Sequence, residues 1–197
     1  MSALEQRTAG SGRIRVRFGR CASDIVELAA RRGRSAELAA VAARRGLSLP
    51  AFGRAAVAGG QLAISTRPER WLLLSPPATP GLAAATWQQA CAGTAAVIDS
   101  SSALAVFWLA GADSAEVLAR GCRLDLHPTV SPTGCAAATT IAQVAVIIVR
   151  LPAARLLLTP ATTARHFAEW LAATGEPFGI SQAGAVPFAA LSGEQFQ

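Results

Sequence analysis

The sequence has few of the side chains that carry out enzymatic chemistry. It contains no lysine and only two histidines, His127 and His166. A mechanism that depends on histidine must therefore use one of these two residues. His166 stands beside Phe167 in a segment with the apolar spacing of a helix, which favours an ordinary position on that helix over a catalytic one.

The glycine-rich motifs that bind cofactors are also absent. No GxGxxG follows an apolar strand, so nothing predicts a cradle for the pyrophosphate of FAD or NAD. The segment LAGAD, residues 109–113, has one glycine and matches neither that motif nor a P-loop. GxSxG is missing too, so Asp99 and the serines after it predict a hydroxyl-rich turn. We therefore expect no catalytic and no cofactor-binding residue on this chain.

Long unbroken apolar runs are missing as well. The charge-free stretches 71–98 and 126–149 are interrupted by prolines and glycines, so neither offers the roughly 18–20 continuous apolar residues of a membrane-spanning helix. The N-terminus has no apolar segment behind its charges, which argues against a signal peptide. We expect a cytoplasmic protein with no membrane segment.

All 18 basic residues are arginines, and most lie near the N-terminus. Residues 1–70 carry 13 arginines and 5 acidic residues, a balance of +8, whereas residues 71–197 carry 5 arginines and 7 acidic residues, a balance of −2. The arginine-rich part lacks interleaved aromatic residues and zinc-finger spacing, so we expect no nucleic-acid binding. Arginine equally suits pairing with carboxylates on a protein partner.

Apolar residues are abundant where charge is scarce. Hydrophobic residues make up 52% of the chain and charged residues 15%, which leaves little charge to cover the surface of a soluble domain. Burial against partner chains would hide this surplus, because stable interfaces resemble a domain core. The four cysteines show no close pairing, which favours reduced and buried thiols: Cys21, Cys91, Cys122 and Cys135.

The two halves of the sequence show the same order of predicted elements. Strands are predicted near Ile25 and over residues 59–65, 70–75, 105–111, 140–149 and 155–159, and helices over residues 36–45, 80–92, 113–121 and 160–175. Asp113 and Glu116 have the spacing of a capping box at the start of the third helix. LLLSPPAT at 72–79 matches LLLTPATT at 156–163, and each precedes a helix with one tryptophan, which indicates an internal duplication.

The predicted fold class is α+β. Each half is predicted as strand, helix, strand, strand, helix, strand, the βαββαβ order of a ferredoxin-like lobe. We expect two such lobes packed side by side, each an open sheet covered by helices on one face. The predicted division is a flexible arginine-rich arm or edge strand over residues 1–22, lobes over 23–95 and 96–180, and a C-terminal tail over 181–197.

The segment GCRLDLHP, residues 121–128, places a thiol, a carboxylate and an imidazole close together in the sequence. A nucleophilic site would need the thiol of Cys122 beside His127, with Asp125 orienting the ring. In an extended segment, however, Cys122, Leu124 and Leu126 point to one side, opposite the imidazole. This geometry disfavours covalent catalysis.

A zinc site is the other chemistry that this region suggests. Its ligands would be Cys122, His127 and Cys135. Structural zinc normally takes four nitrogen or sulfur ligands, usually in closely spaced pairs. Three ligands without a close pair do not meet this requirement, so we expect no metal here.

The segment LAGADSAEVLARGCRLDLHP, residues 109–128, resembles the strand, capped helix and following loop of sarcosine oxidase gamma subunits. RPERWLLLSP at 67–76 is similar to a turn and strand of that family, and ARHFAEWL at 164–171 to its closing helix. The resemblance covers about residues 25–179. It implies a fold related to that of the folate-binding aminomethyltransferases, the T-proteins of glycine cleavage.

The resemblance also implies a function. It suggests a non-catalytic gamma-type accessory subunit of a heterotetrameric, sarcosine oxidase-like flavoenzyme that oxidatively demethylates sarcosine, or a related secondary amine, to glycine. The implied partners are alpha, beta and delta subunits, and FAD, FMN, NAD, zinc and tetrahydrofolate are expected on those partners. On this interpretation the candidate interface loop comprises Cys122, Arg123, Asp125 and His127.

One departure from the family keeps an alternative open. Residues 129–140, TVSPTGCAAATT, lack the basic and aromatic residues of the family at this place, so the substrate amine could differ.

The alternative function is a stand-alone folate-binding or folate-dependent protein of the aminomethyltransferase fold. It needs a carboxylate that holds a pterin ring in a deep pocket, and Asp99 and Asp125 are the nearest candidates.

Overall fold

Two β-sheets form the framework of the chain, of which the computed structural model describes residues 14–191. The elements in chain order are β1 (Val16–Ala22), β2 (Asp24–Ala30), α1 (Ser35–Arg44), β3 (Arg54–Ala58), β4 (Gln61–Arg67), β5 (Arg70–Ser75), α2 (Leu82–Ala90), β6 (Ala95–Asp99), β7 (Leu104–Ala110), α3 (Ser114–Ala119), β8 (Ala136–Ile141), β9 (Val144–Arg150), β10 (Arg155–Pro160), α4 (Ala164–Gly175), β11 (Ile180–Gln182), β12 (Val186–Pro187) and α5 (Phe188–Leu191). This mixture of helices and sheets confirms the predicted α+β class.

The two sheets pack face to face. Alternate side chains of facing strands, such as Leu72 and Leu74 on β5 and Leu156 and Leu158 on β10, fill one apolar layer between the sheets. The prediction of side-by-side packing is therefore wrong, because both sheets carry apolar residues on both faces. Strand β7 illustrates this: it is buried along nearly its whole length.

Helices cover the outer face of each sheet, as predicted. Helices α1 and α2 pack on the smaller sheet through Leu38 and Trp87, while α3 and α4 pack on the larger sheet through Leu118 and Phe167. Helix α1 ends before Gly46, whose φ of 73° is the left-handed conformation expected at a helix C-terminus. Among residues 14–191, no helix is long and apolar enough to cross a membrane.

The two halves share one strand order. The smaller sheet runs β3-β4-β5-β2-β6, and the larger runs β8-β9-β10-β7-β1-β11, with β12 also paired to β1. The orders agree if β1 is inserted between β7 and β11. Each half has one strand more than predicted, namely β3 and β8. Residues 140–149, predicted as one strand, are divided by a turn at Ala142 and Gln143, whose φ values of 49° and 65° bring β8 back along β9.

The N-terminal segment joins the core of the larger sheet. The expected flexible arm or edge strand is wrong for residues 16–22, because β1 pairs antiparallel with β7 and parallel with β11. Val16 and Phe18 pack in the cluster under α3 and α4, whereas Cys21, on the other face of the strand, packs in the layer between the sheets. β1 is therefore packed on both faces. Residues 1–13 of the predicted arm lie outside the described residues.

The C-terminal segment is also part of the fold. Residues 180–191 form β11, β12 and α5, and Phe188 and Leu191 are buried in the layer between the sheets. The prediction of a tail over these residues is therefore wrong, because its apolar side chains complete the core. Residues 192–197 lie outside the described part of the chain. The division into lobes at residue 96 stays a prediction, although β6, Ala95–Asp99, pairs with β2 of the smaller sheet.

Candidate protein interface

The loop after α3 is anchored by two buried side chains and exposes the others. Cys122 and Leu126 belong to the core cluster of the larger sheet. Arg123, Asp125 and His127 are exposed, as is Leu124, with 37% of its surface accessible. In an extended segment Leu124 would point to the same side as Cys122 and Leu126. This expectation is wrong, because the loop turns between its two anchors and exposes Leu124.

Hydrogen bonds within the loop hold this conformation. The Oδ1 atom of Asp125 accepts a bond from the backbone N–H of His127 at 2.8 Å, and Nδ1 of His127 lies 2.8 Å from Oγ1 of Thr129. The carbonyl of His127 accepts backbone bonds from Val130 and Ser131. Asp125 and His127 are thus engaged in shaping the loop, an arrangement that favours a rigid surface.

The structure does not bring together the residues of the two alternative sites in this region. The thiol of Cys122 packs in the core, whereas the ring of His127 is exposed and contacts Thr129. Within residues 14–191, no three His, Cys, Asp or Glu side chains are placed to hold a metal ion, so Cys122, His127 and Cys135 do not form a zinc site. His166 is exposed on α4, as predicted.

The turn after β7 does not fit a dinucleotide. A phosphate-binding turn needs open space above its glycine so that a pyrophosphate can approach the backbone. Here the backbone of Arg15 lies directly against Gly111, and a Cβ placed on this glycine would overlap the Arg15 carbonyl oxygen. The carboxylate of Asp113 pairs with Arg15 through both oxygens instead of capping α3, so the predicted capping box is wrong.

Burial controls the chemistry of the thiols. It raises the pKa of Cys21 to about 12 and also raises the pKa of Cys91. Both thiols are therefore protonated at neutral pH and are poor nucleophiles. Cys135 is only partly buried.

We expect iodoacetamide at about pH 8 to label Cys135 before Cys21 in the folded chain, because the thiolate is the reactive form. Intact-mass and peptide mapping over time would show the order, and equal labelling rates would contradict it.

The folded-state pKa of Cys21 lies above the unfolded value of 9.0, so its contribution to stability is complete below pH 9 and is lost as the pH rises towards 12.

A cleft of about 280 Å³ lies between the sheets near the β4–β5 turn. Its walls are mainly apolar, and its charged groups are Glu27, Arg67 and Arg70. The carboxylate of Glu27 is 3.0 Å from Nη1 of Arg70. Sequence reasoning missed this group, although a charged residue within the apolar run of β2 is a signal for it.

The two carboxylates proposed to hold a pterin ring do not line this cleft. Asp99 ends β6, where hydrogen bonds from the backbone and side chain of Ser101 lower its pKa. Asp125 belongs to the loop after α3. The fold therefore places both carboxylates away from the lining of this cleft.

The loop also exposes an apolar side chain at its far end. Val130 is 59% exposed. We call the exposed residues of the loop, Arg123, Leu124, Asp125, His127 and Val130, the loop surface. Its mixture of rigid polar and apolar groups is typical of a protein interface.

Comparison with known proteins gives a consistent result. Residues 31–175 match the sarcosine oxidase, gamma subunit family. A chain of the heterotetrameric sarcosine oxidase from Corynebacterium sp. U-96, solved with pyrrole 2-carboxylate, is 28% identical with a TM-score of 0.74; the match covers 88% of this chain and 90% of that one. Comparison with curated protein sequences yields no match.

The fold is shared more widely. The glycine cleavage system aminomethyltransferase T from Bartonella henselae is 16% identical with a TM-score of 0.66, over 91% of this chain and 51% of that chain. The chain therefore spans about half of the aminomethyltransferase. At this level of identity the likeness concerns the fold alone, and it confirms the predicted aminomethyltransferase-like architecture.

Proposed function

Since the chain belongs to the sarcosine oxidase gamma subunit family, we propose that it is the non-catalytic gamma-type subunit of a heterotetrameric, sarcosine oxidase-like flavoenzyme complex. The complex oxidatively demethylates sarcosine, or a related secondary amine, to glycine. This chain contributes to assembly and carries no reacting group.

The proposal assigns the chemistry to the other chains. The partners are alpha, beta and delta subunits, and these hold FAD, FMN, NAD, zinc and tetrahydrofolate. On this chain, the glycine turn after β7 is filled by the backbone of Arg15 and the loop residues are engaged with one another, which supports a packing function.

The observation that carries the proposal is the construction of the loop surface. Cys122 and Leu126 fasten the loop to the core, and the Asp125 and Thr129 contacts of His127 hold its turn. Leu124 and Val130 are thereby presented to solvent on a fixed backbone. A preorganised surface with apolar groups loses little entropy on association, so it suits a permanent subunit contact.

The proposal is tested by expressing the chain alone and together with the other subunits of its complex. We expect poor solubility alone and recovery of soluble protein in a complex containing all chains, because exposed apolar groups become buried on assembly. Mass spectrometry of the purified complex identifies the chains and their ratio. A stable, isolated monomer that turns over a substrate without other chains would contradict the proposal.

A charge placed at Leu124 sharpens the test. We expect Leu124→Asp to weaken subunit retention about tenfold or more, because an unpaired carboxylate would be buried at the contact. Leu82→Asp is the matched control, since Leu82 is 53% exposed on α2, which packs on the smaller sheet. Equal retention of both variants would exclude the loop surface from the contact.

A further inference from the structure

Two arginines face each other at one end of the larger sheet, and neither forms an ion pair with an acid of residues 14–191. Arg150 ends β9 and Arg155 begins β10, and the two are directly opposite in the antiparallel register. Both are half-buried and lie on the helix-covered face, because Ile148 and Leu157, two positions away on each strand, belong to the cluster under α3 and α4. Like charges at opposite positions destabilise a sheet, so this pair calls for an explanation.

Within residues 14–191, the side-chain hydrogen bonds of these two arginines go to neutral groups. Nη1 of Arg155 donates to Oγ of Ser114 at 2.7 Å, and Nη1 of Arg150 donates to the carbonyl of Ser131 at 3.1 Å. The ion pairs of this part of the chain involve other arginines. Each guanidinium has five N–H groups, so most of its donors are available to an external acceptor.

Burial and the neighbouring positive charge both make the charged form of Arg155 less favourable. Desolvation by burial lowers the pKa of Arg155, and the charge of Arg150 lowers it further. Arginine nevertheless stays protonated in proteins. Two half-buried positive charges therefore remain beside each other, and the attraction of a carboxylate placed between them would offset the cost of desolvation and the repulsion.

The pair adjoins the loop surface. The carbonyl that accepts from Arg150 belongs to Ser131, next to the exposed Val130. Ser114, which accepts from Arg155, opens α3, the helix that leads into the loop. The arginines therefore adjoin the loop surface at its Val130 end.

We propose that Arg150 and Arg155 form a carboxylate-binding site that receives an Asp or Glu side chain of a partner subunit when the loop surface is covered. This inference rests on the proposed function and adds the chemistry of the contact. The adjoining Val130 favours a protein over a small anion such as phosphate, because a free anion gains nothing from an apolar border.

The test uses the complete complex, with an affinity tag on this chain and the partner subunits co-expressed. Bound complex is washed with NaCl from about 50 to about 500 mM, which screens charge pairs progressively. We expect Arg155→Gln and Arg150→Gln to release the partners at lower salt than the unaltered chain, with retention reduced about tenfold at intermediate salt. Arg155→Lys keeps the charge and should retain more partner than Arg155→Gln.

Arg165→Gln is the matched control. The side chain of Arg165 is 91% exposed on α4 and lies 3.8 Å from Glu169, so its loss should leave retention unchanged. Circular dichroism of complexes isolated at low salt checks folding. Arg150→Gln leaves the bond from Arg155 to Ser114 in place and gives the same readout if Arg155→Gln accumulates as insoluble protein.

The outcomes separate this inference from the function on which it rests. Partner retention that is equal in the unaltered chain and in both glutamine variants overturns the carboxylate site and leaves the subunit function standing. Unchanged retention with loss of bound phosphate, measured with inorganic phosphate as the probe, overturns it in favour of a small-anion site. Failure of the unaltered chain to retain any partner overturns both.

Discussion

Replacing Gly111 with alanine is expected to destabilise the chain by about 4 kcal/mol or more, enough to prevent accumulation of folded protein. Two effects combine at this position. Gly111 has a φ of 115°, which an alanine adopts only with strain. An added Cβ would also overlap the carbonyl oxygen of Arg15 and lie 3.0 Å from its carbonyl carbon. Relief would require β1 to move away from β7, where it is hydrogen-bonded.

Gly33→Ala separates these two effects. Gly33 also has a positive φ, 74°, but a Cβ there would meet no atom within 4 Å. We expect this control to cost about 1 kcal/mol, the conformational penalty alone. Soluble yield on co-expression and the thermal midpoint of the complex compare the variants. Similar yields and midpoints would show that β1 is not packed against the turn at Gly111.

The second large effect is expected for Phe167→Ala, which should lower the free energy of unfolding by about 3–5 kcal/mol. The Phe167 side chain is fully buried between α4 and the larger sheet. Its ring lies 5.7 Å from that of Phe107 and 5.9 Å from that of Trp170, measured between centroids. Removing it leaves a cavity in the core and breaks two aromatic contacts.

Phe52→Ala is the matched control for this substitution. The Phe52 side chain is 66% exposed, so its removal should change the free energy of unfolding by no more than about 0.5 kcal/mol. Soluble yield on co-expression and the thermal midpoint of the complex compare both variants with the unaltered chain. A Phe167→Ala variant as stable as Phe52→Ala would contradict the burial of α4 on the sheet.

Much of the secondary structure follows from local sequence patterns. Helix α4 agrees with its prediction because Phe167 and Leu171 have helical spacing, and both are fully buried. The duplicated segments correspond to β5 and β10, which hold equivalent places in the two sheet orders. Patterns of this kind depend on neighbours in the sequence, which is why they are readable without the fold.

Other elements lack a local signal. Strand β3 is a short run of small residues with no clear alternation, so nothing marked it as a strand. In the turn between β8 and β9, Ala142 and Gln143 have positive φ. Glycine or asparagine at these positions would have predicted a turn, but alanine and glutamine do not. The pairing of β8 with β9, including Ile141 with Val144 on either side of the turn, holds these two residues in a conformation that they do not favour by themselves.

The candidate interface shows the same division. Residues 121–128 place a thiol, a carboxylate and an imidazole close together in the sequence, and they end the motif 109–128 that resembles the family. The geometry of the loop became visible only in the fold, where Cys122 and Leu126 turn inward and Leu124 turns outward. The cleft beside Glu27 and the pairing of Arg150 with Arg155 also depend on strand register, which a single strand does not specify.

The sequence by itself determined the α+β class, the repeated order of elements and the resemblance to a family, because periodicity and motifs are properties of short segments. Only the tertiary structure decided that β1 enters between β7 and β11, that the sheets meet face to face, and that Arg150 lies opposite Arg155. An alternating pattern shows that a strand has two faces, but which strands it joins depends on packing between residues far apart in the chain.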